Sequence, residues 1–446
     1  MHDKHDCDVA IVGGGVSGIA AAYTLSKAGL DVVVYEKDAD VGGRARTLLV
    51  EGKPVDIGAQ FLSSFYTETL KLIAEVGLAS ALRSRSQWAY IARDQIEYPI
   101  WPLSPLLRGH ALTWTNKLNL GSLAVPLMRH WGSLDIARLW RSATLDTQSA
   151  QQFLVSKVGE QNVRLFVAPL LRGLLFWDTD TTSAPVVLSM LKAFATGRGT
   201  FRLDGGVGSL STALAKTLTV HRESEVKKVS PLNTGVRLEA IIGGSEQTIS
   251  ARSVICATTA STASRLFQWI RDSRVDFLDS ITYSQTVMLF FEAPIDAEDY
   301  PSGAIVFPVP DVPDLSSINP SYAALEDMGK RNELRPITIS LSSIGAQKHA
   351  HLPDAELEEK VLALVTKAIG SKSWTNRARL LHIQRWSEAI PRFNVGHLRR
   401  LSAVQRQFGA VNGVAFAGDY IGGPYIDGAV RSGLRAAKDV LMHMGH

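Results

Sequence analysis

The chain of 446 residues contains little cysteine and lacks a long apolar run. Its two cysteines, Cys7 and Cys256, stand alone and form neither a disulfide framework nor a zinc-ligand pattern. No stretch reaches the roughly 18 consecutive apolar residues that a membrane-spanning helix needs. The sequence also lacks a P-loop, a GxSxG turn and a cluster of metal ligands. We therefore expect no metal site and no membrane span, and the isolated thiols favour a reducing, cytoplasmic compartment.

An excess of one charge sign is missing as well. The 47 Lys and Arg residues against 43 Asp and Glu residues leave a net charge of +4, which is too weak at this length to indicate a nucleic-acid partner. Hydrophobic residues make up 46% of the chain and charged residues 20%, as in an ordinary globular protein. The length predicts two or three domains.

The N-terminal segment has the pattern of a βαβ unit that binds a dinucleotide. Cys7–Val12 predicts a buried strand, and a helix is predicted from Ile19 to about Lys27. Between them stands a GxGxxG turn, whose glycines allow a sharp bend and a close approach of the backbone to a pyrophosphate. The free N–H groups of the helix attract the phosphate charge. The residues expected to contact the cofactor here are Gly13, Gly15, Val16, Ser17 and Gly18.

The second predicted strand, 31–35, ends at two charged residues. Glu36 lies about where an acid binds the ribose hydroxyls of the adenosine, and Lys37 follows it. A glycine motif alone would also fit a tight turn without a ligand. Strand, helix, second strand and acid together indicate that a dinucleotide binds.

Two further segments favour FAD over NAD. Val41–Thr47 contains Gly43 and Arg44, which would bring backbone and guanidinium groups to the same pyrophosphate. Val55–Phe61 follows with a Gly-Ala-Gln triplet. The run from Val9 to Phe61 resembles the flavin-containing amine oxidase superfamily. That group includes monoamine and polyamine oxidases, protoporphyrinogen oxidases and phytoene-desaturase-like enzymes.

The resemblance implies both a fold and roles for these segments. In the superfamily a GGR segment contacts the FAD phosphates, and a GAQ-like segment lies near the flavin ring. The fold it implies is α/β, with an FAD-binding Rossmann-like domain of the glutathione-reductase type and a discontinuous α+β substrate domain. The expected cofactor contacts are Gly43, Arg44, Gly58, Ala59, Gln60 and Phe61.

The C-terminal segment resembles the closing motif of the superfamily. A predicted strand ends at Gly418 and Asp419, and a helix is predicted to begin near Tyr425 or Ile426. The resemblance implies that Asp419 binds the ribityl chain and that the helix N-terminus lies at the pyrimidine edge of the flavin. A helix N-terminus there would stabilise the negative charge of a reduced flavin. The expected contacts are Gly418, Asp419, Asp427, Gly428 and Ala429, with Tyr425 in front of the ring.

A third segment, Leu203–Leu210, precedes a predicted helix and two paired strands. The resemblance implies that the strand near Val226 packs on the adenine. These segments predict a discontinuous FAD-binding domain of residues 1–90, 197–265 and 410–446. Residues 91–196 and 266–409 would form the substrate-binding domain.

The two inserts carry the signals for the substrate. Six of the nine Trp residues lie between residues 88 and 177, which fits a helical core, an apolar pocket or a surface that touches a membrane. Residues 385–397 are similar to bacterial protoporphyrinogen oxidases, which implies that Trp386 packs near the flavin. His397 fits a structural histidine better than a general base. The prolines between residues 299 and 320 predict a long irregular loop.

The resemblance implies an FAD-dependent oxidoreductase with a non-covalent flavin. A substrate C–H would give a hydride to flavin N5, with Tyr425, Trp386 and Gln60 at the substrate face. Oxygen or a quinone would reoxidise the flavin, because no second complete dinucleotide motif is present. A hydrophobic, cyclic or conjugated substrate is favoured, as in protoporphyrinogen oxidases or enzymes of specialised metabolism.

Other functions stay open. An amine or amino-acid oxidase is less favoured, because the predicted strand Ser284–Glu292 lacks the lysine that amine oxidases often place near N5. A polyene desaturase would turn the apolar insert towards a membrane, so a peripheral membrane contact is an open alternative. A non-catalytic binding module like the Rab escort proteins conflicts with the intact cofactor motifs. The sequence does not predict the oligomeric state.

Overall fold

Two seven-stranded sheets organise the computed structural model, which describes residues 5–85, 88–294, 303–320 and 334–445. A two-stranded ribbon pairs Thr47–Val50 with Lys53–Asp56. In a three-stranded sheet, Thr200–Leu203 lies between Leu62–Ser63 and Leu82–Arg85. These two small sheets are separate from the large ones.

The first large sheet contains the predicted βαβ unit. Strand Cys7–Val12 has the predicted bounds and is parallel to both of its neighbours. Val9, Ala10 and Ile11 are fully buried, as expected for a parallel strand covered on both faces. In spatial order the strands are Thr219–His221, Val32–Tyr35, Cys7–Val12, Ser245–Cys256, Val236–Ile242 and Glu225–Pro231, and Val414–Phe416 pairs with the end of Ser245–Cys256.

Two long helices pack against each other on this sheet. The first, Val16–Lys27, begins three residues before the predicted start, directly after Gly15. The C-terminal helix, Ile426–Met444, begins where predicted. A Cβ atom at Gly433 would lie 2.1 Å from the carbonyl oxygen of Ser17, so the close contact between the two helices requires glycine. This contact brings both helix N-termini to one edge of the sheet.

The second large sheet is antiparallel except for one parallel pair. Helix Asp354–Ile369 buries Leu357, Val361 and Val365 at four-residue spacing in the same core cluster as the sheet residues. In spatial order the strands are Arg379–Trp386, Thr286–Pro294, Leu334–Leu341, Leu315–Pro320, Ala304–Val306, Ala89–Arg93 and Ile96–Trp101.

The predicted irregular loop between residues 299 and 320 was wrong for residues 304–306 and 315–320, whereas residues 307–314 are irregular as predicted. Ala304–Val306 and Leu315–Pro320 are strands, and they pair antiparallel. Pro320 is the last residue of its strand, and the three preceding prolines lie in the connection between the strands, where no ladder N–H is needed. Residues 299–302 lie outside the described residues.

The remaining helices surround the two sheets. Among the described residues, no helix combines the length and the apolar character needed to cross a membrane. These helices are Thr67–Glu75, Leu103–Arg108, Trp114–Leu120, Ala124–Arg129, Ala150–Val158, Glu160–Asn162, Ala168–Leu175, Ala184–Thr196, Ser209–Ala215, Ala260–Leu266, Ser273–Asp279, Ser343–His349, His397–Val404 and Asp419–Gly422. Shorter 3₁₀ segments are Ala79–Ala81, Gly121–Leu123, Ile136–Leu145 and Gln405–Phe408, and Val163–Val167 forms a π turn.

The division into an FAD-binding unit and a substrate unit remains our proposal. The strand Ala89–Arg93 pairs within the second sheet, whereas Leu82–Arg85 pairs with Thr200–Leu203 beside the first. We therefore propose that the first segment of the FAD-binding unit ends before Ala89 rather than at residue 90.

Candidate active site

A cavity of about 680 Å³ lies between the two large sheets, which is within the usual size range of ligand and cofactor sites. It collects predicted residues from seven separate segments of the chain. The predicted residues that line it are Gly13, Gly15, Val16, Ser17, Glu36, Lys37, Gly43, Arg44, Gly58, Ala59, Gln60, Phe61, Val226, Trp386, Gly418, Asp419, Tyr425 and Ala429. Gly18, Asp427 and Gly428 are not among its lining residues.

The glycine turn leaves room and free donors for a pyrophosphate. A Cβ atom at Gly15 would meet no protein atom within 4 Å, so this backbone is open to the cavity. Gly13 has a φ of +100°, and Gly18 lies against it, where a Cβ atom would be 2.0 Å from the Gly13 carbonyl oxygen. Helix Val16–Lys27 has neither a capping side chain nor an acidic residue in its first turn. Its first N–H groups are thus available to an anion, and the site fits the phosphates of FAD.

Glu36 is the carboxylate at the adenosine end. It accepts hydrogen bonds from the backbone N–H groups of Gly14 (2.6 Å) and Asp38 (2.9 Å). Burial raises the pKa of Glu36, because a charged carboxylate is disfavoured away from water. Lys37 beside it is exposed, and buried Val226 forms the neighbouring wall. This arrangement fits an adenine packed on Val226 with its ribose near Glu36.

The GGR and GAQ segments are tied to each other and to the glycine turn. The N–H of Gly42 donates to the Gly14 carbonyl oxygen (2.8 Å), and the N–H of Ala59 donates to the Arg44 carbonyl oxygen (2.9 Å). Gly58 has no space for a side chain, since a Cβ atom would lie 2.1 Å from the same Arg44 oxygen. The backbone therefore presents both segments to the cavity together.

Arg44 and Asp419 form an ion pair across the cavity wall. The Nη2 atom of Arg44 lies 3.0 Å from the Oδ1 atom of Asp419, and Nη1 also donates to the Ala389 carbonyl oxygen. The guanidinium lies over the ring of Tyr283, 5.6 Å from its centroid. Two residues predicted to touch different parts of FAD are thus neighbours at the middle of the cavity.

Three side chains predicted at the substrate face line the cavity, and each of them donates a hydrogen bond to another part of the protein. The indole Nε1 of Trp386 donates to the Ile57 carbonyl oxygen (2.8 Å), and the amide of Gln60 donates to Thr338 Oγ1 (3.0 Å). The hydroxyl of Tyr425 donates to the Ile136 carbonyl oxygen (2.5 Å). Each of these bonds joins parts of the chain distant in sequence.

Tyr425 forms an aromatic pair with Tyr66. Their ring centroids are 5.4 Å apart, with an interplanar angle of 26°. Burial raises the pKa of Tyr425 well above its ordinary value, so its hydroxyl stays protonated and keeps donating. The ring is therefore fixed in orientation at the cavity wall.

The C-terminal helix directs only part of its first turn at the cavity. The carboxylate of Asp427 is fully buried and accepts hydrogen bonds from the N–H (2.7 Å) and hydroxyl (2.9 Å) of Thr69 and from Nε of Arg431 (2.6 Å). This carboxylate therefore caps helix Thr67–Glu75, while Ala429 lines the cavity. A flavin contact by Asp427 or Gly428 stays a prediction that would use backbone groups.

Sequence reasoning placed strand 284–292 near the flavin and offered the aromatic insert as an apolar pocket, but it did not name the individual residues of the substrate wall. Thr286 and Met288 are two residues apart on one strand, so their side chains lie on the same face of the sheet. The two-residue period of a strand could have predicted that they line the cavity together. Met190 and Phe194 are one helical turn apart on helix Ala184–Thr196. Phe176 ends helix Ala168–Leu175 with a φ of +57°, which no sequence pattern indicated. The other unnamed lining residues from the inserts are Ile136, Gly173, Leu174, Leu175, Leu266, Asn319, Ser340 and Gln384.

The described lining from the inserts is nearly free of charge. Its two charged residues are Arg385 and Glu388. The Arg385 guanidinium donates to the carbonyl oxygens of Ala350 and Leu352, both at 2.9 Å, and Glu388 accepts from the hydroxyl of Ser261. Thr286–Pro294 contains no lysine, so this strand places no ammonium at the cavity.

His397 lies outside the cavity lining and is buried against Phe393, with ring centroids 4.0 Å apart. Burial lowers the pKa of His397 to about 3. The ring therefore stays neutral at physiological pH, as expected for a structural histidine.

Comparison with known families identifies the chain. The family model of the flavin containing amine oxidoreductases matches residues 16–441. The chain belongs to this family. The predicted superfamily, the α/β fold with an FAD-binding domain and the FAD-dependent oxidoreductase activity are thereby confirmed.

Individual relatives are distant but similar along their full length. The chain is 22% identical to the coproporphyrinogen III oxidase of Bacillus subtilis (strain 168), covering 98% of each chain. It is 23% identical to the mitochondrial protoporphyrinogen oxidase of Nicotiana tabacum, covering 99% of this chain and 96% of the relative. Among solved structures, putrescine oxidase bound to putrescine matches with a TM-score of 0.78 and 22% identity, covering 98% of this chain and 99% of that one.

FAD is the cofactor of this flavoprotein. Cys7 and Cys256 are both buried and neither lines the cavity, so the described cysteines offer no attachment point for a covalent flavin. The oxidoreductase acts on a small molecule and requires an oxidant.

Proposed function

We propose that this flavoenzyme oxidises a hydrophobic, cyclic or conjugated small molecule, either a protoporphyrinogen-like tetrapyrrole or a specialised metabolite. The observation that carries the proposal is the almost uncharged substrate wall, whose two charged side chains are bonded to other protein groups. Burying an ammonium or a carboxylate against this wall without a partner would cost several kcal/mol, so the uncharged ring of a substrate fits here and the carboxylates of a porphyrinogen would have to lie outside it. Thr286, Met288 and Phe194 offer polarisable and apolar surface instead.

The chain's own residues supply position and field. When bound, FAD supplies a two-electron acceptor for a substrate C–H bond. The glycine turn, Arg44 and Glu36 would hold its phosphates and adenosine. The stacked rings of Tyr425 and Tyr66 confine the substrate, and the N-terminus of the C-terminal helix places positive potential at the cavity. No described side chain at the substrate wall is set up as a general base.

A second candidate is an amine oxidase. The tyrosine pair is the observation that favours it, because aromatic rings can hold an ammonium group by cation–π attraction. The lack of a lysine on strand Thr286–Pro294 and the bonding of Glu388 to Ser261 count against it.

The test is anaerobic bleaching of the flavin absorption band by a substrate panel. The panel contains protoporphyrinogen, coproporphyrinogen, simple amines, amino acids and a polyene. We expect fast bleaching by a porphyrinogen or another hydrophobic ring compound and none by amines. Bleaching by amines alone would reject the proposal in favour of the second candidate.

We also propose oxygen or a quinone as the electron acceptor and a cytoplasmic location with a peripheral membrane contact. The two buried, unpaired cysteines support a reducing compartment. Stopped-flow mixing of the reduced enzyme with oxygen and with a soluble quinone distinguishes the two acceptors.

A further inference from the structure

One helical segment of the first insert is apolar on two opposite sides. Helix Trp114–Leu120, the 3₁₀ turn Gly121–Leu123 and helix Ala124–Arg129 follow one another with right-handed helical backbone at each junction. One side packs on the core of the insert through Leu120, Leu123 and Leu127. A surface helix normally shows polar side chains on its other side.

The other side of this segment is an exposed apolar stripe. It consists of Trp114, Leu118, Val125 and Met128, whose exposed fractions are 76%, 76%, 66% and 68%. Their spacing of i, i+4, i+11 and i+14 places them along one face of a helix. Contiguous exposed apolar side chains of this kind mark a surface that contacts a partner or a membrane.

The charge around the stripe decides which partner fits. Residues 98–134 contain Arg108, Lys117 and Arg129 and neither Asp nor Glu. Arg108 and Arg129 are exposed on either side of the stripe in sequence. A symmetric dimer through this surface would bring Arg108 and Arg129 of two copies together, and residues 98–134 contain no carboxylate to pair them. An anionic lipid surface would instead complement both the arginines and the apolar side chains.

The chain that follows the stripe is bonded to a helix that also contributes to the substrate wall. Lys192 of helix Ala184–Thr196 donates to the carbonyl oxygens of Trp131 (2.6 Å) and Leu134 (2.8 Å), directly after the segment. The same helix presents Met190 and Phe194 to the cavity. This helix therefore connects the chain next to the stripe with the substrate wall.

We infer that the apolar stripe docks the enzyme onto an anionic lipid bilayer. Trp114, Leu118, Val125 and Met128 enter the interface, and Arg108 and Arg129 contact lipid phosphates. The segment is too short to cross the bilayer and lies along its surface. The inference concerns binding alone, so it can fail or succeed independently of the substrate proposed above.

Vesicle flotation of the FAD-loaded protein tests the inference. We expect the protein to float with phosphatidylcholine vesicles that contain phosphatidylglycerol, and much less with phosphatidylcholine alone. Leu118→Ser/Met128→Ser should lower the bound-to-free ratio at least tenfold. The matched control Leu49→Ser/Met442→Ser removes a leucine and a methionine that are 77% and 58% exposed elsewhere, and should bind like the unchanged protein.

Two further measurements complete the design. Arg108→Gln/Arg129→Gln should remove the preference for phosphatidylglycerol. Flavin absorbance and melting temperature should be equal in all variants, which excludes unfolding as the cause of lost binding. Equal flotation of stripe and control variants would overturn the inference, as would no flotation of the unchanged protein. A third outcome would be a dimer in analytical sedimentation that dissociates only in the stripe variant, together with no vesicle binding by the unchanged protein. It would assign the surface to a second copy of the chain instead.

Discussion

Glu36 is the buried carboxylate at the adenosine end of the cavity. We predict that Glu36→Ala weakens FAD binding by roughly 10- to 100-fold, because a hydrogen bond to a charged acceptor contributes roughly 1.5–3 kcal/mol. Fluorescence titration of the FAD-free protein measures the dissociation constant. Glu75→Ala, which removes an exposed ion pair with Lys27, is the control and should leave it unchanged. Unchanged affinity in Glu36→Ala would remove Glu36 from the site.

Tyr425 combines a buried ring with a hydroxyl that bonds Ile136. We predict that Tyr425→Ala slows flavin reduction by the best substrate while FAD stays bound, because the stacked partner of Tyr66 is lost from the wall. Tyr425→Phe keeps the ring and should reduce at a nearly normal rate. Rapid-mixing absorbance measures both rates. Equal rates in Tyr425→Ala and the unchanged enzyme would show that the ring only fills space.

His397 links stability to pH. Burial lowers its folded pKa to about 3 from the usual 6.5, so the unfolded chain binds more protons between these values. Its contribution to stability is complete above about pH 6.5 and decreases as the pH falls, by at most about 1.4 kcal/mol per pH unit. We predict that the melting temperature of His397→Phe falls less steeply from pH 6.5 to 4.5 than that of the unchanged protein. Parallel curves would contradict the neutral, buried state.

At the scale of elements, two glycines of the glycine turn are needed for different reasons, one for binding the ligand and one for packing of the protein. A Cβ atom at Gly15 meets nothing within 4 Å, whereas one at Gly18 would be 2.0 Å from a backbone oxygen. We predict that Gly15→Ala keeps the melting temperature of the FAD-free protein but weakens FAD binding. Gly18→Ala should lower that melting temperature itself. Calorimetry and FAD titration check the pair, and equal stability losses would contradict this division of roles.

The elements near the chain ends were the most predictable. Strand Cys7–Val12 and helix Ile426–Met444 begin where the sequence indicated, because a buried apolar run and a glycine-rich start are local signals. The strands between residues 304 and 320 were missed, since strand pairing across a proline-rich segment depends on neighbours distant in sequence.

At the scale of the whole molecule, the cavity lies between two sheets and is lined by both. We therefore predict that FAD stabilises the entire chain, by about 2.7 kcal/mol at a free concentration of one hundred times the dissociation constant. Differential scanning fluorimetry should show one transition whose melting temperature rises with FAD.

We also predict that acid precipitation releases all flavin into the supernatant, because no cysteine lines the cavity. Flavin retained in the pellet would contradict non-covalent binding.

The sequence by itself determined the dinucleotide site, and its resemblance to the superfamily implied FAD and the family. The glycine turn and Glu36 are local signals, because a few consecutive residues set the backbone geometry and the position of the acid. The roles of the GGR, GAQ and closing segments were implied by the resemblance. The predicted cofactor residues line one cavity with three exceptions, among which Asp427 turns its carboxylate to Thr69.

Only the tertiary structure decided what surrounds the flavin end. Arg44 meets Asp419, and Tyr425 bonds Ile136, because residues hundreds of positions apart are brought together by two sheets. The nearly uncharged substrate wall and the apolar stripe are also set by the tertiary structure. Each consists of side chains from one side of a helix or strand, and which side is exposed or lines the cavity depends on how these elements pack. The sequence could assign the aromatic residues of the first insert to a core, a pocket or a membrane surface. Their exposure in the structure distinguishes them, because Trp177 is 1% exposed and Trp114 is 76% exposed.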